Sequence, residues 1–223
     1  MKRLLLGLLF AWPLCLMASI GVSRLRVENM TEPLGIDTST PRFSWEITAD
    51  GGEKDVLQTG YEIVVSSDGR ELWNSGRVSS DEQLWVPYQG ERLRAGQHLT
   101  WRVKVYTNRG ETPWSREQHF SIGLLTEGQW GGRWIGLEHL QPGEVAGQLH
   151  SSLAARYLRQ VFTLPRKAVK RATAYISGLG FYRLFVGEQE VGADDMLKPA
   201  PTDYRKTILY NTYDVTTHIS DTL

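Results

Sequence analysis

With 223 residues, the chain has room for one large domain or two ordinary ones. A hydrophobic share of 41% and a charged share of 22% exclude a disordered or fibrous chain, and 25 basic residues against 25 acidic ones leave no cationic surplus for nucleic acid and no acidic tail. Eight Trp and nine Tyr suit either the buried rings of an aromatic-rich β-sandwich or an exposed sugar-binding face.

Residues 1–20 read as a secretory signal peptide. Lys2 and Arg3 precede an apolar run from Leu4 to Met17, which ends in the small residues Ala18, Ser19 and Gly21. Cleavage is expected between Ala18 and Gly21. The same residues have two other uses. An uncleaved anchor is one, because the apolar stretch through Val22 approaches the length of a short spanning helix. A lipoprotein signal at Cys15 is the other. Pro13 inside the run and the small residues at its end favour cleavage, and Trp12, Pro13 and Leu14 are too large to precede a lipidated cysteine. Cys15 is the single cysteine, so the mature chain forms no disulfide and draws its stability from buried area. The expectation is an exported protein of the bacterial periplasm, cell surface or extracellular space, with no membrane segment after cleavage. Losing Lys2 and Arg3 leaves it very slightly acidic.

Residues 22–125 read as short strands separated by turns. Phe43, Trp45 and Ile47 alternate with Ser44, Glu46 and Thr48. Tyr61, Ile63 and Val65 form a second period-two set, and Trp101, Val103 and Val105 alternate with Arg102 and Lys104. Period two places each apolar set on one face of a half-buried sheet. Turn residues separate the runs: Asp50-Gly51-Gly52, Asp68-Gly69, Ala95-Gly96 and Asn108-Arg109-Gly110. Roughly seven strands in about 100 residues is the arithmetic of an immunoglobulin-like sandwich. Pro41-Arg42-Phe43-Ser44-Trp45 and the run from Leu93 to Val103 resemble the second strand and the approach to the sixth strand of a fibronectin type III domain. Ala95 stands where that pattern has Pro, and Leu99 where it has the corner Tyr.

Residues 126–154 read as a linker that contains Trp130 and Trp134. These rings suit a sugar platform or burial at a domain junction, and burial is the commoner fate of a large aromatic. Residues 155–223 begin a second β-domain, with strands predicted at 157–162, 172–176, 181–186 and 207–210. Helical periodicity is weak throughout the mature chain, so it is predicted to be all-β. Only about 70 residues remain for the second sandwich, fewer than such a domain usually takes, so it is expected to be truncated here.

The search for chemistry finds no Gly-x-Ser-x-Gly elbow, no His-Glu-x-x-His and no phosphate loop. His98, His119, His139, His150 and His218 lack ligand spacing, so no metal and no cofactor is expected. Asp81-Glu82 and Asp194-Asp195 are adjacent acidic pairs. Neighbours on a strand point to opposite faces, so they are not assumed to converge as a glycosidase pair must. Asp203-Tyr204-Arg205 has two readings. A carboxylate, a ring and a guanidinium side by side suit a sugar's hydroxyls and apolar face. A turn in which Asp203 serves the local backbone and Tyr204 packs is the commoner use. These three are the candidate carbohydrate-binding residues, and no catalytic residue is assigned. Asn29-Met30-Thr31 matches the N-glycosylation pattern, which in bacterial export is expected to carry nothing.

Tyr157-Leu158-Arg159-Gln160-Val161-Phe162, the Ser177–Val186 run with its Gly-Leu-Gly-Phe-Tyr, Thr202-Asp203-Tyr204-Arg205-Lys206 and Tyr210-Asn211-Thr212-Tyr213-Asp214-Val215-Thr216 together resemble the N-terminal β-sandwich of bacterial α-L-rhamnosidases, glycoside hydrolase family 78. Trp134-Ile135-Gly136 and the fibronectin-like unit precede them in that family's order. Gly187-Glu188 replaces the family's frequent Asn-Gly, and Pro199-Ala200-Pro201 replaces its Pro-Gly-Trp, which removes a ring that can stack. The resemblance implies a fibronectin type III-like sandwich followed by a truncated jelly-roll-like one. It also implies that hydrolysis of terminal α-L-rhamnose belongs to a downstream α/α catalytic domain absent from this chain. The partners implied are that domain and a rhamnose-containing glycan. A non-catalytic carbohydrate-binding module and a protein-interaction module are the alternatives. Exposed coplanar rings distinguish the first of these, and a contiguous apolar patch without sugar response distinguishes the second.

Overall fold

The computed structural model describes residues 20–49, 53–137, 139–145, 154–164 and 168–220. The predicted signal peptide, with Cys15, falls almost wholly outside them, as does His150. The chain divides into two compact units, one ending at Gly123 and the other beginning at Leu124.

The first unit contains β1 (Ile20–Val27), β2 (Arg42–Ala49), β3 (Gln58–Ser67), β4 (Arg70–Asn74), β5 (Val86–Pro87), β6 (His98–Thr107), β7 (Gly110–Glu111) and β8 (Gln118–Ser121). One antiparallel sheet has the order β1-β2-β5. The other runs β4-β3-β6-β7, with β8 also pairing β6. The register sets Tyr61 opposite Val105, Ile63 opposite Val103 and Val65 opposite Trp101. Both period-two sets therefore face the same way, and all six residues are buried. Phe43 and Trp45 close the core from the other sheet. The Phe43 ring centroid lies 4.5 Å from that of Trp101, and Trp45 meets Tyr61 edge-on at 5.3 Å. Leu99, at the corner-Tyr position, is buried and pairs with Phe120. The hydroxyl of a tyrosine is thus exchanged for apolar packing.

One residue breaks the alternation. Ser44, expected on the solvent face, is buried. Its Oγ accepts the backbone N–H of Trp85 at 3.1 Å, so the segment entering β5 covers it.

The second unit contains β9 (Thr173–Ser177), β10 (Leu184–Val186), β11 (Gln189–Val191), β12 (Tyr210–Asp214) and a five-residue helix α1 (Thr216–Ser220). β9 pairs β12 and β10 pairs β11, both antiparallel. Side chains tie the two ladders together. Tyr182 donates to Asn211 Oδ1 at 2.9 Å, and Tyr213 donates to Asp195 Oδ2 at 2.7 Å. Among the described residues the regular structure is nearly all β, as predicted, apart from α1 and a 3-10 turn at Glu127–Gln129.

Several predicted elements differ from those observed. Residues 157–162 form no strand, and Tyr157, Val161 and Phe162 are exposed; no strand pairs with them among the described residues. The predicted strand at 207–210 begins instead at Tyr210, where β9 supplies partners from Ser177 to Thr173. The one at 181–186 shortens to Leu184–Val186, because Tyr182 spends its N–H on the Lys198 carbonyl rather than on a ladder. Trp134 is 62% exposed rather than buried, and Trp130 is half-packed on Tyr210 at 5.7 Å. The Gly187-Glu188 turn between β10 and β11 has positive φ at Gly187 alone, the pattern of a type II′ hairpin, so this dipeptide does the work expected of Asn-Gly.

Candidate functional site

Asp203 organises a tight turn. Its carbonyl accepts the N–H groups of Lys206 at 2.8 Å and Thr207 at 3.0 Å. Its Oδ1 accepts the backbone N–H of Arg205 at 3.2 Å and the Arg205 Nε–H at 3.0 Å. An aspartate two residues before its backbone donor closes an Asx-turn, and the guanidinium completes a local fork. Arg205 holds the Asp203 carboxyl below the usual carboxylate range through these hydrogen bonds. Asp203 and Arg205 therefore satisfy each other, while Tyr204, between them, reaches elsewhere. Its hydroxyl accepts the Gly180 N–H at 3.0 Å.

That bond joins two of the sequence motifs, the Thr-Asp-Tyr-Arg turn and the Gly-Leu-Gly-Phe-Tyr loop. The Tyr182 N–H to Lys198 carbonyl bond, 2.9 Å, adds a third segment. Where the three meet, Phe181 is 73% exposed and Tyr204 39%, with Leu179 and Met196 also at the surface. These residues expose ring and aliphatic surface, and Arg205 follows Tyr204 directly in the chain. Sequence reading identified Tyr204 but not its partner, because Gly180 contributes only backbone.

Two acids of the second unit, Glu190 and Asp195, are engaged within the fold. Glu190 accepts from Arg183 and from the buried Lys198, whose Nζ lies 2.9 Å away. Arg183 first and Lys198 second lower the Glu190 carboxyl to about 2. Asp195 accepts from Tyr213, and the Tyr213 hydroxyl is pushed far up, by burial first and then by its bonds to Tyr182 and Asp195. Asp194, adjacent to Asp195, is exposed in the turn after β11. In the first unit, Glu82 gives its carbonyl to Gln58 Nε2 at 2.8 Å, so that segment of the Asp81-Glu82 pair serves the fold. No cluster of three metal-ligating side chains occurs among the described residues.

Comparison with known proteins bears on both units. Residues 22–126 match the family described as the Rha78A-like N-terminal immunoglobulin domain. Residues 167–222 match the α-L-rhamnosidase N-terminal domain. Both units thus match domains that stand at the N-terminus of α-L-rhamnosidases. An α-L-rhamnosidase of Formosa agariphila is 33% identical over 92% of the chain, and the chain spans only 23% of that relative's length. Among solved structures, the α-L-rhamnosidase of Dictyoglumus thermophilum is similar with a TM-score of 0.74 and 32% identity, over 89% of this chain and 23% of that one. The enzyme from Aspergillus terreus follows at 0.70 and 28%, over 90% and 22%. The fold and both domain matches are thus similar to the N-terminal region of α-L-rhamnosidases, and the match covers about a fifth of each of these relatives.

Proposed function

We propose that this chain is the N-terminal accessory region of an exported α-L-rhamnosidase. Its two β-units support a catalytic domain that removes terminal α-L-rhamnose from glycans, and they do not themselves break the bond. The observation that carries this reading is the succession of two family matches, residues 22–126 and then 167–222, in one chain that spans about a fifth of its relatives. The carboxylates around the Tyr204 surface support it as well. Asp203, Glu190 and Asp195 each have a partner within the fold, whereas an inverting glycosidase needs one acid to protonate the leaving oxygen and one base to activate water.

The test is rhamnose release from a synthetic aryl α-L-rhamnoside by the purified chain. The expected rate equals that of buffer. Turnover that tracks the protein through purification would overturn the accessory role. Export is proposed from residues 1–20, and N-terminal sequencing of the secreted protein should begin at Ser19, Ile20 or Gly21.

A further inference from the structure

Trp85 has a backbone conformation that a large side chain rarely adopts. Its φ is +59°, in the left-handed region, where a bulky residue is an outlier. The kink has a consequence for the surface. Val86, the next residue, points into the core, so ordinary alternation would send Leu84 inward as well. Leu84 is instead 67% exposed and Trp85 40% exposed. Two adjacent large apolar side chains are thus held out from a strand that has an available core.

The Trp85 indole is not loose. The Arg42 guanidinium carbon sits 3.9 Å from its ring centroid. Arg42 is fixed by Glu28, with Nη2 2.7 Å from Oε2 and Nε 3.2 Å from Oε1. Arg42 Nη1 makes no hydrogen bond among the described residues, and no ring packs on the opposite face of the indole among them. The result is a half-exposed aromatic plate, backed by a cation whose Nη1 amino group is uncommitted among the described residues and bordered by the Glu28 carboxylate. Strained backbone that keeps a side chain exposed points to a ligand clamp.

We propose that Trp85, with Arg42 beside it, is a pyranose-stacking site on the first unit that recognises a glycan chain. The choice of a glycan as ligand rests on the rhamnosidase reading above. The physics of the plate is that of sugar recognition: an apolar ring face to cover, with hydroxyl or acid groups at its border for the guanidinium to meet.

The test is affinity electrophoresis of the full chain in native gels containing an anionic rhamnogalacturonan or a neutral arabinoxylan. Trp85→Gly and Trp85→Asn remove the ring and suit a left-handed φ, so relief of the backbone strain offsets part of the lost Arg42 contact and both variants are expected to stay folded, which thermal melting checks. The wild type should be retarded in at least one gel, and the variants should lose on the order of tenfold in affinity. Retardation by rhamnogalacturonan alone assigns Arg42 an acidic substituent; retardation by both assigns it a hydroxyl. Wild type that migrates as in a blank gel, or folded variants retained as strongly as wild type, would sink the site. The gels do not read hydrolysis. Rhamnose release by the chain would remove the accessory reading and leave the gel result standing, whereas an unretarded wild type removes only the site.

Discussion

The Trp45 indole Nε1–H donates to Gln58 Oε1 at 3.0 Å, a buried bond between β2 of one sheet and β3 of the other. Gln58 Nε2 then donates to the carbonyls of Ser80 at 3.0 Å and Glu82 at 2.8 Å. One side chain therefore pins both sheets and the loop between β4 and β5. Replacing Gln58 with Ala leaves the Trp45 donor buried without an acceptor. A cost of about 2–3 kcal/mol is expected in urea unfolding of the chain. In a double-mutant cycle with Trp45→Phe, the coupling should exceed about 1 kcal/mol. Additive single effects would show that the bond contributes nothing of its own.

Trp101 and Trp114 should behave differently. Trp101 is buried against Phe43, and its truncation to Ala removes core volume, at about 3–5 kcal/mol. Trp114 lies on the outer face, with the Arg102 guanidinium 4.8 Å and Lys104 Nζ 5.2 Å from its ring. Its loss removes cation–π contacts and should cost about 1–2 kcal/mol. Thermal melts of the two variants rank them directly.

Tyr88 offers a gain. Its hydroxyl is buried and has no hydrogen-bond partner among the described residues. Tyr88→Phe deletes the unpaired group and keeps the ring against Trp73, whose centroid is 5.1 Å away. The variant should be about 1 kcal/mol more stable than wild type. A lower melting temperature would mean that the hydroxyl is satisfied in solution.

Gly187 and Gly192 share a φ of +63° but not their surroundings. A Cβ at Gly187 meets nothing within 4 Å, whereas one at Gly192 would lie 2.5 Å from the Tyr213 ring and 2.8 Å from Asp195 Oδ2. Gly187→Ala should therefore cost only the left-handed penalty, about 1 kcal/mol. Gly192→Ala adds a clash that displaces Tyr213 from Asp195 and should cost distinctly more. Paired denaturant curves resolve the difference.

Acid should weaken the second unit through Glu190. Its folded-state value, about 2, lies below the ordinary 4.5, so the carboxylate stabilises the fold fully above the ordinary value. That contribution is lost as pH falls from about 4.5 toward about 2. Glu144, held at about 2 first by Arg156, acts in the same direction. The urea midpoint of wild type should fall across this window, and Glu190→Gln should flatten part of the slope.

The sandwich core of the first unit was legible because its strands alternate cleanly. Phe43, Trp45, Ile63, Val65, Trp101 and Val103 all lie where period two puts them. Ser44 was not legible, since its burial depends on a segment about forty residues away that bends over it. At 157–162 both faces carry apolar residues, so the pattern suggested a strand without naming a partner, and none pairs with it among the described residues. α1 is too short for helical periodicity to register. At the candidate site, Asp203, Tyr204 and Arg205 were found in sequence as a turn with a sugar alternative, and the turn geometry is present. Trp85 escaped notice because a positive φ at a tryptophan leaves no mark in residue order.

Tyr210 has a practical consequence for dissecting the molecule. Its hydroxyl accepts the Leu124 N–H at 2.9 Å, and its ring lies 5.7 Å from Trp130 and 6.0 Å from Tyr175. The entry to the second unit is therefore latched to a strand that arrives 86 residues later. A shortened version that starts at residue 155 would discard the latch and strip one side of that tyrosine. Separate expression of this half should begin upstream of Leu124.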